Sequence, residues 1–483
     1  MFSSITTEMI LAILPEISLL ILAAIILVVD LVISEERKGL LAWLTALGLL
    51  VTIVLTLVFS TPNEDAQMVW GNMLRHDWLA FIFTLVFLVG AAITVLFSIG
   101  WENLGKRGEF YLLLLTSTMG MSLMASSADL IMLFLAIETA SIPLYVMAGF
   151  ITNDDRSAEA GFKYLLFGAM TTAIMLYGFS LLYGFAGTTN IYQLAGSALN
   201  GELPMIIVIS TLLFVLAGFG FKVSMAPFHF WTPDVYEGAP TPVTGFLSTA
   251  SKAAGFAIMV RFLLAAFPSN IPQWALVLAL ISTFSMTIGN TLALVQKNIK
   301  RMLAYSSIAH AGYILMGVAA ASQLGLTSVM YYIIVYLFTN LAAFGIVVIF
   351  WRAVGSDQIE DYAGLSRRAP HLATAMLVAF LSLAGVPPMG GFFAKILVFA
   401  AAVQAELIWL AVIGVLNAII GLYYYLIVLK VVYLYRSEDD DKPLPVSLPH
   451  TIALAVCIVA ILVLGVAFGP WYDITSRAAA ALF

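Results

Sequence analysis

Residues 216–243 read LAGFGFKVSMAPFHFWTPDVYEGAPTPV. The stretch begins as an apolar helix, carries one lysine, Lys222, and then runs into prolines and glycines. Proline removes a helical hydrogen bond and clashes with the preceding turn, and glycine softens the backbone. A second stretch, residues 382–399, reads SLAGVPPMGGFFAKILVF and repeats the pattern with Lys395. Each is an apolar helix expected to break, over Gly218–Pro227 and Gly385–Gly391, and each break is paired with a lysine.

The surroundings of both stretches are apolar almost end to end. The 483 residues are 62% hydrophobic and 10% charged, against roughly 45–50% and about 25% in soluble domains. A helix needs about 20 apolar residues to cross the hydrocarbon core, and only helices or closed barrels satisfy their backbone there. The runs are continuous rather than alternating, which selects helices. The pattern predicts fourteen, near 9–33, 39–59, 79–100, 110–128, 130–150, 159–185, 204–226, 241–266, 272–294, 301–321, 325–352, 370–403, 406–434 and 450–470. The fold class is therefore an all-α integral membrane protein, a single polytopic domain over 1–483. The start, MFSSITTEMI, has no basic residue and carries Glu8; a cleavable signal wants a basic n-region, so the first helix is expected to stay.

Of the 21 basic residues, 13 fall in loops after odd-numbered helices, such as Arg37, Lys106, Arg156 and Arg436. Only Arg75, Arg261 and Arg477 fall on the other side. The positive-inside rule then puts both termini outside. The five remaining lysines, Lys163, Lys222, Lys252, Lys395 and Lys430, lie within predicted helices. The expected breaks lie in the seventh and twelfth helices. A shift of five helices, an odd number, inverts topology, and paired breaks point to an inverted repeat with a site near its interface. The expected division is helices 1–3 over 1–109, a first repeat (helices 4–8) over 110–266, a second (helices 9–13) over 272–434, and helix 14 with its tail over 450–483.

Ionisable residues inside a membrane are costly and functional by default. Glu138 lies mid-helix in DLIMLFLAIETASIPLYVMAGF. A Glu138–Lys222 pair would lower both desolvation penalties and couple the two protonation states. Lys252 sits among small residues in GFLSTASKAAGFAIMV, which permit close packing. His310 is central in YSSIAHAGYILM, and imidazole relays protons at both nitrogens. Lys163 follows Glu159 at the i,i+4 spacing of a helix-surface pair. His229 lies beside the first break, while Glu16 and Asp30 are peripheral to the repeats and read as structural. The sequence has no Walker loop, no strand-to-helix GxGxxG and no serine elbow. Its single cysteine, Cys457, forms no CxxC motif. The chemistry left is proton or ion transfer.

Several tracts resemble a known family. FKYLLFGAMTTAIMLYG, GFKVSMAPFHFWTPDVYEGAPTPV, NIKRMLAYSSIAHAGY and LSLAGVPPMGGFFAKILVF look like the antiporter-like subunits of bacterial respiratory complex I. The resemblance implies a proton-translocating subunit of NADH–quinone oxidoreductase, in which Glu138 and Lys222 pair, Lys252 is the central relay, Lys395 a terminal relay, and Lys163 and His310 match further positions. It implies no cofactor in this chain, with NADH, FMN, iron–sulfur clusters and quinone in partner subunits. Its partners would be other membrane-arm subunits, the lipid bilayer and protons, without nucleic acid, in the bacterial inner membrane. A Mrp-type sodium/proton antiporter or membrane-bound hydrogenase subunit shares the fold and is the alternative. A solute transporter would need a substrate cavity, and a mere assembly scaffold would not keep five basic residues in lipid.

Overall fold

The structure, a computed structural model, describes residues 5–63, 65–196 and 204–482. Its main helices are α1 (Leu14–Val32), α2 (Leu40–Phe59), α3 (Trp78–Ser98), α4 (Gly108–Ser126), α5 (Leu130–Ala148), α6 (Asp155–Ala186), α7 (Met205–Val223) and α8 (Trp231–Gly238). There follow α9 (Thr241–Ala266), α10 (Ile271–Ala293), α11 (Ile299–Ala319), α12 (Gln323–Val354), α13 (Pro370–Ala384), α14 (Gly390–Gln404), α15 (Ile408–Leu434), α16 (Leu448–Val466) and α17 (Phe468–Ala480). A hairpin of β1 (Gln67–Val69) and β2 (Leu74–His76) was not expected from the sequence. Among the described residues, twelve helices are long and apolar enough to cross a membrane. The Ser/Thr-rich α4 and the 15-residue α13 and α14 lie outside that set.

The centre of the bundle is α9, α11 and α12, whose apolar windows are 89%, 94% and 89% buried, against 33% for α1 and α2. A polar group on the central three therefore faces protein, not lipid. Small residues bring neighbouring backbones together. A Cβ on Gly120 of α4 would lie 2.4 Å from the Ala140 nitrogen of α5, and one on Gly289 of α10 would lie 2.5 Å from the Ala309 nitrogen of α11. Both glycine–alanine pairs have the same spacing, and the second repeats the first 169 residues on.

Other devices recur at almost that shift. α6 and α12 are both 32 residues long, both side-chain capped, by Asp154 and Ser322, and both end on a left-handed glycine, Gly187 (φ 68°) and Gly355 (φ 78°). The start of α5 is clipped to the chain after α6 by Leu130 N–H to Thr189 O and Ile191 N–H to Ala128 O, each 2.8 Å. The start of α11 is clipped to the chain after α12 by Ile299 N–H to Asp357 O and Ile359 N–H to Lys297 O, also 2.8 Å.

The two expected breaks are present and alike. α7 ends at Ser224 (φ 60°), with Met225 N–H reaching back to Gly220 O; α13 ends at Gly385 (φ 84°), with Val386 N–H reaching back to Leu381 O, both 2.9 Å. This is the left-handed cap with a six-to-one hydrogen bond that stops a helix. The breaks are shorter than the sequence predicts. Gly218–Val223, expected to unwind, stays helical, and Met175, Met225 and Phe228 pack close against its glycines. Gly390 and Gly391 likewise open α14 rather than extend its break.

Arg261, counted from sequence with the outer loops, lies inside α9 and is fully buried. Its guanidinium donates to both Asp77 oxygens (2.7 and 2.8 Å), to Ala125 O (2.9 Å) and to Tyr192 Oη (2.7 Å). A buried charge persists only when paired and hydrogen-bonded in this way.

Candidate proton pathway

Glu138 stands on α5 with Oε1 enclosed and without a hydrogen-bond partner. Lys222, 5% exposed, occupies the last turn of α7. The described ion pairs include none between these two. The Lys222 ammonium donates instead to Ser141 Oγ, one turn along α5 from Glu138, and Ser141 donates to Ile137 O. A serine hydroxyl thus stands where the sequence reading placed a direct pair.

Lys222 and Lys252 lie on packed helices. A Cβ on Gly255 of α9 would meet Val223 Cγ1 at 2.7 Å and Lys222 Cβ at 3.1 Å. Lys252, 3% exposed, is the first residue after a π-helical turn, Leu247–Ser251, that interrupts α9. Such turns widen the helix by one residue and free backbone groups, often at functional sites. The Lys252 ammonium donates to Ser307 Oγ (2.5 Å) and Ser307 O (3.0 Å) on α11 and lies 5.9 Å from the centre of the Tyr236 ring.

The next residue along α11, Ser306, is hydrogen-bonded to Tyr425 Oη of α15. Tyr425 Oη lies 3.3 Å from His310 Nε2, and His310 Nδ1 lies 2.8 Å from Tyr332 Oη. Both imidazole nitrogens thus have hydroxyl partners, the arrangement that lets a histidine take a proton on one side and release it on the other. Beyond it, Lys395 Nζ sits 5.0 Å from the centre of the Tyr313 ring and donates to Leu383 O (2.9 Å) and Ala384 O (2.8 Å). Those carbonyls are among the ones the break of α13 leaves without helical donors. The lysine stem lies over Gly385, where a Cβ would come within 2.7 Å of Lys395 Cδ.

Lys163 stands apart from this line. It bonds Glu159 Oε1 and Asp234 Oδ2, each 2.6 Å away, at a partly exposed end of the bundle. Asp234 of α8 also takes Arg301 (2.8 Å), which reaches Glu237 (2.9 Å). His229 Nδ1 has no partner and the ring stacks on Phe230. Sequence reasoning missed the hydroxyls of Tyr332 and Tyr425 and the acids Asp234 and Glu237. The tyrosines were visible as polar-tipped residues in VMYYIIVYLFTN and GLYYYLIVL, and the acids lay within the first quoted stretch.

A family described as NADH:quinone oxidoreductase/Mrp antiporter, transmembrane, matches residues 127–421, the segment that holds Glu138, Lys222, Lys252, His310 and Lys395. NADH-quinone oxidoreductase subunit N of Moorella thermoacetica is 42% identical over 456 residues, covering 94% of both chains. The chain belongs to the subunit N family of NADH-quinone oxidoreductase. A chain of respiratory complex I from Thermus thermophilus superposes with a TM-score of 0.80 at 33% identity, covering 95% of this chain and 98% of that one. A chain of the Mrp complex from Dietzia superposes with a TM-score of 0.88 at 22% identity, covering 99% and 98%, a likeness of fold. The subunit N family thus shares its architecture with antiporter complexes, while the sequence sides with the quinone oxidoreductases.

Proposed function

We propose that this chain translocates protons in the membrane arm of a NADH–quinone oxidoreductase, driven by electron transfer in partner subunits. The observation that carries the reading is a line of ionisable groups, half-buried at Glu138 and buried at Lys222, Lys252, His310 and Lys395; in its middle Ser307 takes Lys252, and its chain neighbour Ser306 bonds Tyr425, which reaches His310. Each group can hold and release a proton, and the gaps between them call for water, which needs polar partners and room. Like charges repel strongly at low dielectric, so protonating one lysine raises the cost of protonating the next. A charge change at Glu138 then propagates along the line. Lys163, with Asp234, Glu159 and Arg301, supplies an entry point at one face. Redox groups belong to the partner chains.

The recurring helices, clips and breaks support an inverted repeat of helices 4–8 over 110–266 and helices 9–13 over 272–434. Counting α4 as a span, and α13 with α14 as one broken span, brings the twelve long apolar helices to fourteen. With basic loops inside, both termini face outward in the bacterial inner membrane. An Mrp-type subunit remains the alternative function on fold alone; the 42% identity to a quinone oxidoreductase subunit favours the first reading. The test is proton pumping per electron in proteoliposomes holding the intact complex. Lys252→Ala should abolish most of it, and unchanged pumping in an assembled Lys252→Ala complex would refute the reading.

A further inference from the structure

Outside the proposed repeats, Glu16 of α1 is a carboxylic residue more than nine-tenths buried, at 9% exposure. Its Oε1 accepts from Ser122 Oγ of α4 at 2.5 Å, and Ser122 Oγ lies 2.8 Å from Thr84 Oγ1 of α3. Its Oε2 has no partner. Glu16 and Thr84 both line one cavity between α1, α2, α3 and the β-hairpin, whose wall also carries Thr56, Ser60, Arg75 and His76. The cavity volume is about 20 Å³, and a water needs roughly 10–15 Å³ with two to four polar partners. Glu16 thus lines a space large enough for a water, with hydroxyls, an arginine and a histidine in its wall.

The cavity lies at the end of the bundle that carries the β-hairpin. His76 Nε2 there lies 3.0 Å from Ser60 O, and Arg75 reaches Ala481 O near the C-terminus (3.3 Å). Glu16, Arg75 and His76 are the titratable groups lining it. A carboxyl that has one oxygen on a hydroxyl pair and lines a space a water fits can pass a proton either way. The Ser122–Thr84 pair reverses its O–H direction as the carboxyl gains or loses its proton, because each hydroxyl both donates and accepts. Arg75 also ion-pairs with Asp77 Oδ2 (3.1 Å), the partner of Arg261 on α9, which ties the cavity wall to the helix that holds Lys252.

We propose that Glu16 is a proton-exchange site, taking protons from and returning them to water at the face that carries the β-hairpin. This inference rests on the proton-translocating reading, and the test separates the two. In the intact complex, infrared difference spectra should show a carboxyl band that shifts on exchange into D2O and is missing in Glu16→Gln. In proteoliposomes, Glu16→Gln should lower pumping per electron at least twofold, and Ser122→Ala should lower it less. A Glu16 band that does not exchange, or unchanged pumping in an assembled Glu16→Gln complex alongside a Lys252→Ala complex that has lost it, would overturn the site and leave the general reading standing. Full pumping in both variants would overturn both. If Glu16→Gln does not assemble, Thr84→Val and Ser122→Ala, which keep the carboxyl, decide through the rate of D2O exchange: slowed exchange supports the site, unchanged exchange overturns it.

Discussion

Lys252 Nζ holds both the hydroxyl (2.5 Å) and the backbone carbonyl (3.0 Å) of a single residue, Ser307, on the neighbouring helix. A point charge on a flexible stem can make that double contact with one residue and still let its proton go. A guanidinium keeps its proton at any accessible pH. Lys252→Arg should therefore impair pumping per electron nearly as much as Lys252→Ala. Full rescue by arginine, with normal assembly, would make Lys252 a fixed structural charge.

Ser141 links Lys222 to the helix of Glu138. Ser141→Ala removes that acceptor and leaves a buried ammonium short of a partner, a loss of about 1–3 kcal/mol, more for a charged group. Pumping should fall in Ser141→Ala while Glu138 and Lys222 are untouched, and should fall further in Glu138→Gln and in Lys222→Ala. The comparison is made per electron transferred in assembled complexes. Equal pumping in all three would remove the pair from the path.

The Asp77–Arg261 pair predicts a stability effect with a defined pH range. Burial alone would raise the Asp77 carboxyl, but the charge and hydrogen bonds of Arg261, with the Ala80 amide and Arg75, outweigh it and hold it below its ordinary 3.8. A carboxyl depressed in the folded state contributes stability that is complete above its unfolded value and is lost as pH falls through the folded one. Asp77→Asn should thus lower the unfolding temperature by an amount that is constant between about pH 5 and 7 and shrinks below about 4. Asp77→Ala strands a buried guanidinium and should cost about 3–5 kcal/mol; thermal inactivation of the purified complex measures it.

Cysteines introduced at Arg37 and Arg75 should label from opposite faces of sealed vesicles. Labelling from one face would break the fourteen-span count and the outward placement of the termini.

Much of this was legible because lipid makes polarity conspicuous. A lysine in an apolar run has to be explained, so Lys222, Lys252 and Lys395 stood out, and Pro and Gly marked both breaks. What stayed hidden was whatever an apolar pattern tolerates. The hydroxyls of Tyr332 and Tyr425 ride on rings that count as hydrophobic. The π turn before Lys252 has no composition of its own, since Leu247–Ser251 reads as ordinary helix. Arg261, inside the predicted helix 241–266, was counted with the outer side because its partner Asp77 is 184 residues away. Glu16 looked peripheral because its hydroxyl partner sits on another helix, 106 residues on.

The glycine contacts between α4 and α5, and between α10 and α11, limit how this protein can move. At Gly120 and Gly289 the two backbones touch with no side chain between them, so sliding by even an ångström would drive atoms into one another. Each pair behaves as a welded strut. Rocking one helix against its partner, the way many carriers expose a site first to one side and then to the other, would have to break these contacts. The parts free to change are thin: lysine stems, hydroxyl rotors and the few residues at each break. A proton path framed this way would work by small reorientations in a stiff casing, so its tolerance for mutation should be lowest at glycines that touch no proton at all.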